Sequence, residues 1–394
     1  MSRQQLILLP HDEYEIRLRN IKSRMSAEGV DAMIVTDNAN TYYITGRVFM
    51  GWIFLPSKGD ALFFVRRPVE LEGDGVAYVR KPEEMPLTIG ALNMPQTLAL
   101  ELDVTPYAVV ERLKAIFPDA QMKNASTIMR DVRSVKTPFE IERLRISGEK
   151  QARVYRHLPR LYTPGMTDME LQIEVERALR LEGCLGQFRI SGDSMELFMG
   201  SVLVGANADN PTPYDFAMGG AGLDGSIPAG ANDTEIRPGN TVMVDMNGNF
   251  TGYMTDMTRT YALGDIEELA LRAHQCSIDI CHALAGMARP GMEAKALYEK
   301  AEEMAKEAGL QPYFMGHRQK AGFIGHGVGI EVNELPVIAP RSTYRLRENN
   351  VIALEPKFVI PKVGAVGIEN TYYVTGDCLR LLTDCTEGIQ YFED

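Results

Sequence analysis

No apolar run in this 394-residue sequence is long enough to cross a bilayer, which excludes a helical membrane protein. The opening, MSRQQLILLPHDEYEIR, holds one short apolar run, cut by Pro10 and followed by acids, unlike a secretory signal. Positive charge is in deficit: 41 Lys and Arg stand against 53 Asp and Glu, a net charge of -12. Binding to nucleic acid calls for a basic surface, so nucleic acid is not an expected main partner. Cysteine is scarce and unpatterned. Cys184, Cys276, Cys281, Cys378 and Cys385 are odd in number and include no CxxC spacing. That pattern fits reduced thiols in a cytoplasmic protein rather than a disulfide framework or a zinc site. Low-complexity segments and short-period repeats are also missing.

What is present is an ordinary globular composition, 45% hydrophobic and 24% charged, over a length that calls for two domains. The N-terminal third alternates helix and strand signals. EYEIRLRNIKSRMSAEG has helical periodicity and stops at a glycine, DAMIVT and ALFFV read as strands, and YAVVERLKAIFP reads as a helix ending before proline. This is an α/β layer pattern. Within it, DNANTYYITG reads as a strand entry; the other reading is a surface formed by Asn38, Asn40, Tyr42 and Tyr43 that reaches the second domain. A boundary falls in DVRSVKTP, giving domains 1–136 and 137–394. Thr137, Pro138 and Glu140 spell a helix start with a capping box, and TDMELQIEVERALRLEG is a second helix. Strands with long Gly-, Asn- and Pro-rich connections are expected over 187–262, helices over 265–288 and 293–309, and strands and loops over 322–393. Blocks of this kind predict an α+β catalytic domain.

Four acids and one histidine stand out: Asp245, Asp256, His326, Glu355 and Glu369. Each acid lies in an apolar or Gly-rich stretch that otherwise reads as buried strand, where an ionised carboxylate is costly without a positive partner. Asp245 and Asp256 are opposite each other if antiparallel strands join around 250–251, although Asn247-Gly248 is itself a favoured turn. Glu355 and Glu369 are opposite each other around Lys362 in PKVG. His326 sits between glycines that allow close approach. Taken singly, each of these has an ordinary explanation; Arg259, for example, could neutralise Asp256. Together they make a hard, oxygen-rich nest suited to two divalent cations and thus to hydrolysis.

These residues lie in VDMNGNFTGYMTDMTRT, GHGVGIEVNELP, ALEP and IEN, which resemble in order and spacing the motifs of the pita-bread metallopeptidases. That family includes methionine aminopeptidase, aminopeptidase P and prolidase. The resemblance covers roughly 140–394, and the N-terminal part is similar to the creatinase, aminopeptidase P and prolidase branch. It implies a pita-bread catalytic domain behind a smaller α/β creatinase-type domain. It also implies a dinuclear exopeptidase of the Xaa-Pro aminopeptidase or dipeptidase kind, with short peptides as substrates and a homodimer as the assembly. Asp245 would hold one metal, Asp256 and Glu369 would bridge, and His326 and Glu355 would hold the second. The two ions, Mn, Co, Zn or Fe, would generate a bridging hydroxide, with Glu355 as proton acceptor and shuttle.

The outer residues depart from the family pattern. Asn333 stands where the peptidases usually carry the histidine of HExP. Their upstream histidine is missing, since no histidine lies between His157 and His274, and GANADNPTPYD offers Tyr214 and Asp215 instead. Gly367 stands where prolidase-like members often have arginine. Tyr214, Asn333 and His317 are the candidates for a replacement layer. An amide cannot gain a proton near neutral pH as an imidazole does, so two other readings stay open: a non-peptide hydrolase or lyase on this fold, and a non-catalytic peptide-binding member.

Overall fold

A computed structural model describes residues 4–187, 189–191 and 198–393. The chain divides into two compact units, Met1–Arg133 and Ser134–Asp394. Among the described residues no helix is long and apolar enough to cross a membrane.

The first unit is built on a six-stranded sheet. Its strands run in the order Val76–Tyr78, Leu62–Arg67, Met50–Pro56, Ala32–Val35, Thr97–Leu100 and Gln121–Asn124. Ala32–Val35 is buried along its whole length, because it pairs with Met50–Pro56 on one side and Thr97–Leu100 on the other. The helix Tyr107–Ile116 adds Val110 and Leu113 to the core that holds Phe54, Leu98, Leu100 and Phe117. DNANTYYITG is not a strand entry: Asn38–Thr45 is a helix. The Asp37 carboxylate accepts the Asn40 N–H at 3.1 Å, and Gly46 ends the helix at φ 72. Cap chemistry at both ends outweighs the β-propensity of Thr, Tyr and Ile. Asn40 is an internal brace of this unit, since its amide donates to Glu101 Oε1 at 2.7 Å and accepts from Arg133 at 2.9 Å.

The second unit opens as its sequence dictates. Thr137 and Glu140 form a reciprocal capping box at the start of Pro138–Tyr155, and Thr167 and Glu170 repeat it at Asp168–Leu181. A four-stranded sheet follows, ordered Gln390–Tyr391, Met254–Ala262, Thr241–Asn249, Gly200–Val204. Strand structure in 187–262 is confined to the last three of these; residues 188 and 192–197 of that stretch lie outside the described residues. A five-stranded sheet runs Glu334–Ile338, Gly325–Gly327, Val351–Leu354, Asn370–Val374, Leu379–Leu381, and Lys357–Ile360 pairs with Gly364–Gly367. The helices Glu268–Met287 and Ala294–Glu307 bury Ile280, Leu284, Leu297 and Ala301 with Ile352, Leu354, Phe358 and Val366.

The Pro138–Tyr155 helix fixes the hairpin that carries the first acids. The Tyr155 hydroxyl accepts the Met246 N–H at 3.0 Å and donates to the Met257 carbonyl at 2.7 Å, so it joins the two strands. Gln151 donates to the Met246 carbonyl and accepts from the Thr255 hydroxyl.

Candidate metal centre

Asp245 lies opposite Thr258, and Asn247 lies opposite Asp256. The two aspartates are therefore diagonal neighbours rather than the opposite pair expected from a join at 250–251. The ladder runs on through Asn247-Gly248 to Asn249, and the connection occupies 250–253, closed by Gly252 N–H donating to Asn249 Oδ1 at 3.1 Å. Opposite and alternate residues share a face of a sheet, so both carboxylates still point the same way.

The second pair follows the expected register. Leu354 pairs with Asn370 and Lys357 with Gly367, which leaves Glu355 and Glu369 at matching positions between two ladders, with Lys362 as the midpoint. His326 comes from the short Gly325–Gly327 strand, opposite Val337 and Ala353. A Cβ on Gly325 would lie 2.3 Å from the Ala353 carbonyl and one on Gly327 2.2 Å from that of Leu335. Only glycines let this strand press in far enough to deliver the imidazole.

The five side chains form two overlapping clusters with ligand spacing, Asp256–His326–Glu369 and Asp245–Glu355–Glu369. In the first, His326 Nε2 lies 3.8 Å from Asp256 Oδ2 and 4.0 Å from Glu369 Oε1, and it also lies 3.5 Å from Glu355 Oε1 of the second. Two donors about 2.1 Å from a tetrahedral ion lie roughly 3.4 Å apart, so this spacing suits a shared ion better than direct hydrogen bonds. Asp256 Oδ1 and Glu369 Oε1 are buried without a hydrogen-bond partner. Such oxygens are expensive in an interior unless a cation meets them. His326 Nδ1 faces the Gly327 carbonyl at 3.1 Å, which turns Nε2 toward the acids as a ligating imidazole requires. These residues fit a divalent ion.

The second cluster already contains a positive charge that the sequence reading missed. Lys357 is fully buried, with Nζ 2.7 Å from Asp245 Oδ2, 2.8 Å from Glu355 Oε2 and 3.0 Å from Glu369 Oε2. A signal was available: Glu355 and Lys357 are two apart in an extended run and so share a face. Thr258 adds a second donor to Glu369 Oε2, at 2.8 Å. Asn247, opposite Asp256, was also missed; it lines the cavity, with its Oδ1 buried and unbonded.

One ammonium among four acids leaves an uneven field. Burial raises the Asp256 and Glu369 carboxyls, and the neighbouring carboxylates Glu369 and Glu355, respectively, raise them further. Glu355 is held below the usual range: burial works against this, but Lys357 and His326 prevail. Burial also opposes charge on His326, yet Glu355, Asp256 and Glu369 bring it up to about 10. The place where His326, Asp256 and Glu369 meet therefore attracts positive charge, as a proton or as a metal. Arg259 does not supply it to Asp256. Its guanidinium donates to the Glu369, Thr386 and Cys385 carbonyls and to Asn370, bracing the two hairpins.

The five residues line a cavity of about 370 Å³ whose wall also includes Asp215, Phe216, Phe323, Val332 and Asn333. Asn333 holds that wall together: its Oδ1 accepts the Ser191 N–H at 2.8 Å and its Nδ2 donates to the Ser191 carbonyl. Tyr214 packs on Phe216, ring centroids 5.2 Å apart, and is not among the lining residues. His317 is a loop histidine bonded to Asp209 at 3.0 Å. Gly367 has φ 137 and no room for a side chain, since a Cβ would meet Ser277 Oγ at 2.9 Å and the Pro356 carbonyl at 3.0 Å. Its cross-strand partner is Lys357.

Comparison with known proteins agrees with this geometry. Residues 17–135 match the creatinase/prolidase N-terminal domain and residues 142–376 match metallopeptidase family M24. An Xaa-Pro dipeptidase of Pyrococcus horikoshii is 26% identical over 371 residues, covering 93% of this chain and 96% of the relative. The fold matches an Xaa-Pro dipeptidase from Bacillus anthracis with a TM-score of 0.80 at 20% identity, over 96% of this chain and 99% of that one. It matches an X-Pro aminopeptidase from Thermotoga maritima with a TM-score of 0.77 at 22% identity, over 94% and 99%. A family match across more than half of the chain, on a fold that brings the acids and the histidine together, places the protein in metallopeptidase family M24.

Proposed function

We propose that the chain is a metal-dependent exopeptidase that hydrolyses short peptides with proline after the scissile bond. The observation that carries this reading is the convergence of Asp256, His326 and Glu369, two of them with orphaned buried oxygens, in the wall of a cavity of about 370 Å³. The name of the Pyrococcus horikoshii relative, Xaa-Pro dipeptidase, supports the substrate class. A divalent ion held by Asp256, His326 and Glu369 would lower the pKa of a bound water toward neutrality and would polarise a substrate carbonyl.

The chain's own residues do the rest. Lys357 fixes Glu355 Oε2, which leaves Oε1, 3.5 Å from His326 Nε2, as the atom that accepts a proton and returns it to the leaving amine. Asp215 on the cavity wall and the partly exposed Asp245 are placed for the substrate's amino group. Phe323, Val332 and Val337 offer an apolar wall for a prolyl ring. Asn333 and Tyr214 act as positioning residues, the first through Ser191 and the second through Phe216.

A second reading, hydrolysis of a non-peptide amide, draws support from the outer layer. The Asn333 amide is bonded at both its oxygen and its nitrogen to Ser191, and Gly367 leaves no side chain to meet a substrate. Turnover of Xaa-Pro dipeptides, Xaa-Pro-Y tripeptides and non-proline peptides with added Mn, Co or Zn separates the two. The proposal expects cleavage of Xaa-Pro peptides that chelator abolishes. Metal-loaded protein that cleaves no peptide would favour the second.

A further inference from the structure

The two clusters in the catalytic unit are not equivalent, and the difference bears on how many ions the protein takes. An ammonium has three protons. In Lys357 three carboxylate oxygens receive them, at 2.7, 2.8 and 3.0 Å, from Asp245, Glu355 and Glu369. Those residues are the second of the two clusters with ligand spacing. A metal ion there would need the lone pairs that Nζ engages and would sit beside a buried like charge.

Given the metal-dependent reading of this site, on which the inference rests, we propose that Lys357 is a built-in cation in the Asp245–Glu355–Glu369 position. The protein then binds one divalent ion, at Asp256, His326 and Glu369, rather than two. The backbone holds Lys357 in place for this. Its carbonyl accepts the Met315 N–H at 2.9 Å, and it pairs with Gly367, where a Cβ would come within 3.1 Å of the Lys357 Cα. The Lys357 side chain is fully buried, so its ammonium meets the three carboxylates rather than solvent. The two clusters also differ in what they leave over. Asp256 Oδ1 and Glu369 Oε1 lack hydrogen-bond partners; Asp256 belongs to the first cluster alone and Glu369 to both, while no oxygen of Asp245 or Glu355 is orphaned in this way. The Glu369 carboxylate serves both positions, one oxygen for each: Oε2 for the ammonium and Oε1 for the ion.

The test is metal content in the whole chain, stripped with chelator, reloaded with excess Mn2+ and desalted. We expect one Mn2+ per chain and the electron paramagnetic resonance spectrum of an isolated ion. Two Mn2+ per chain, or an exchange-coupled spectrum, overturns the inference and leaves metal-dependent hydrolysis standing. No bound Mn2+ overturns both. Lys357→Gly opens the second position and is expected to double the Mn2+ content; a folded variant that still takes one ion counts against the inference. Should that variant not fold, Asp245→Asn gives an independent answer. It touches the lysine rather than the ion, so it is expected to keep one Mn2+ where Asp256→Asn keeps none, and loss of Mn2+ in Asp245→Asn contradicts the assignment.

Discussion

His274 ties the stability of the catalytic unit to pH. It is buried in the Glu268–Met287 helix, where its Nδ1 accepts the Gly367 N–H at 3.2 Å and its Nε2 faces the Glu387 carbonyl at 2.8 Å. Accepting at one nitrogen and donating at the other requires the neutral ring. Burial, the largest influence, pushes the ring from 6.5 down to about 4. Between those values the unfolded chain binds a proton that the folded chain refuses, so stability falls as pH drops from 6.5 toward 4. Linkage with these two values gives a loss of about 2 kcal/mol between pH 7 and pH 5. Urea unfolding of wild type and His274→Gln at both pH values isolates this contribution, because glutamine does not titrate. Wild type is expected to lose about 2 kcal/mol more than the variant. Parallel losses, or an imidazole that titrates near 6.5 in the folded protein by NMR, would refute the reasoning.

Three further substitutions probe the supports of the site. Gly367→Ala forces a Cβ against Ser277 and Pro356 at φ 137 and is expected to cost about 3 kcal/mol in urea unfolding. Tyr155→Phe leaves the Met246 N–H and the Met257 carbonyl without their shared hydroxyl, at a cost of roughly 1–3 kcal/mol by the same measurement. Thr137→Ala removes the cap of Pro138–Tyr155 and should lower stability by about 1 kcal/mol, with Thr137→Ser recovering most of it.

Much of this was legible because it is local. The capping box at Thr137 needs only residues three apart, and the hairpin around Lys362 needs only a turn and a symmetric pair of acids. The first hairpin was harder. Its register depends on a four-residue connection closed by the Asn249 side chain, and on Gln151 and Tyr155 reaching in from a helix a hundred residues away. The helix Asn38–Thr45 was hidden too, since the caps Asp37 and Gly46 reverse what Thr-Tyr-Tyr-Ile-Thr suggests. Lys357 was the most consequential omission. Its spacing puts it on the face of Glu355, but only the three-dimensional meeting of Asp245, Glu355 and Glu369 shows why it is inside.

The central claim is that the acids and His326 form a divalent metal site. Anomalous diffraction from crystals of the Mn2+-loaded protein tests it most directly. The account predicts one peak about 2.2 Å from donor atoms of Asp256, His326 and Glu369, with the Lys357 ammonium still seated among Asp245, Glu355 and Glu369. No peak at the cluster would contradict the claim that it binds metal, and a peak where the ammonium lies would contradict the role given to Lys357.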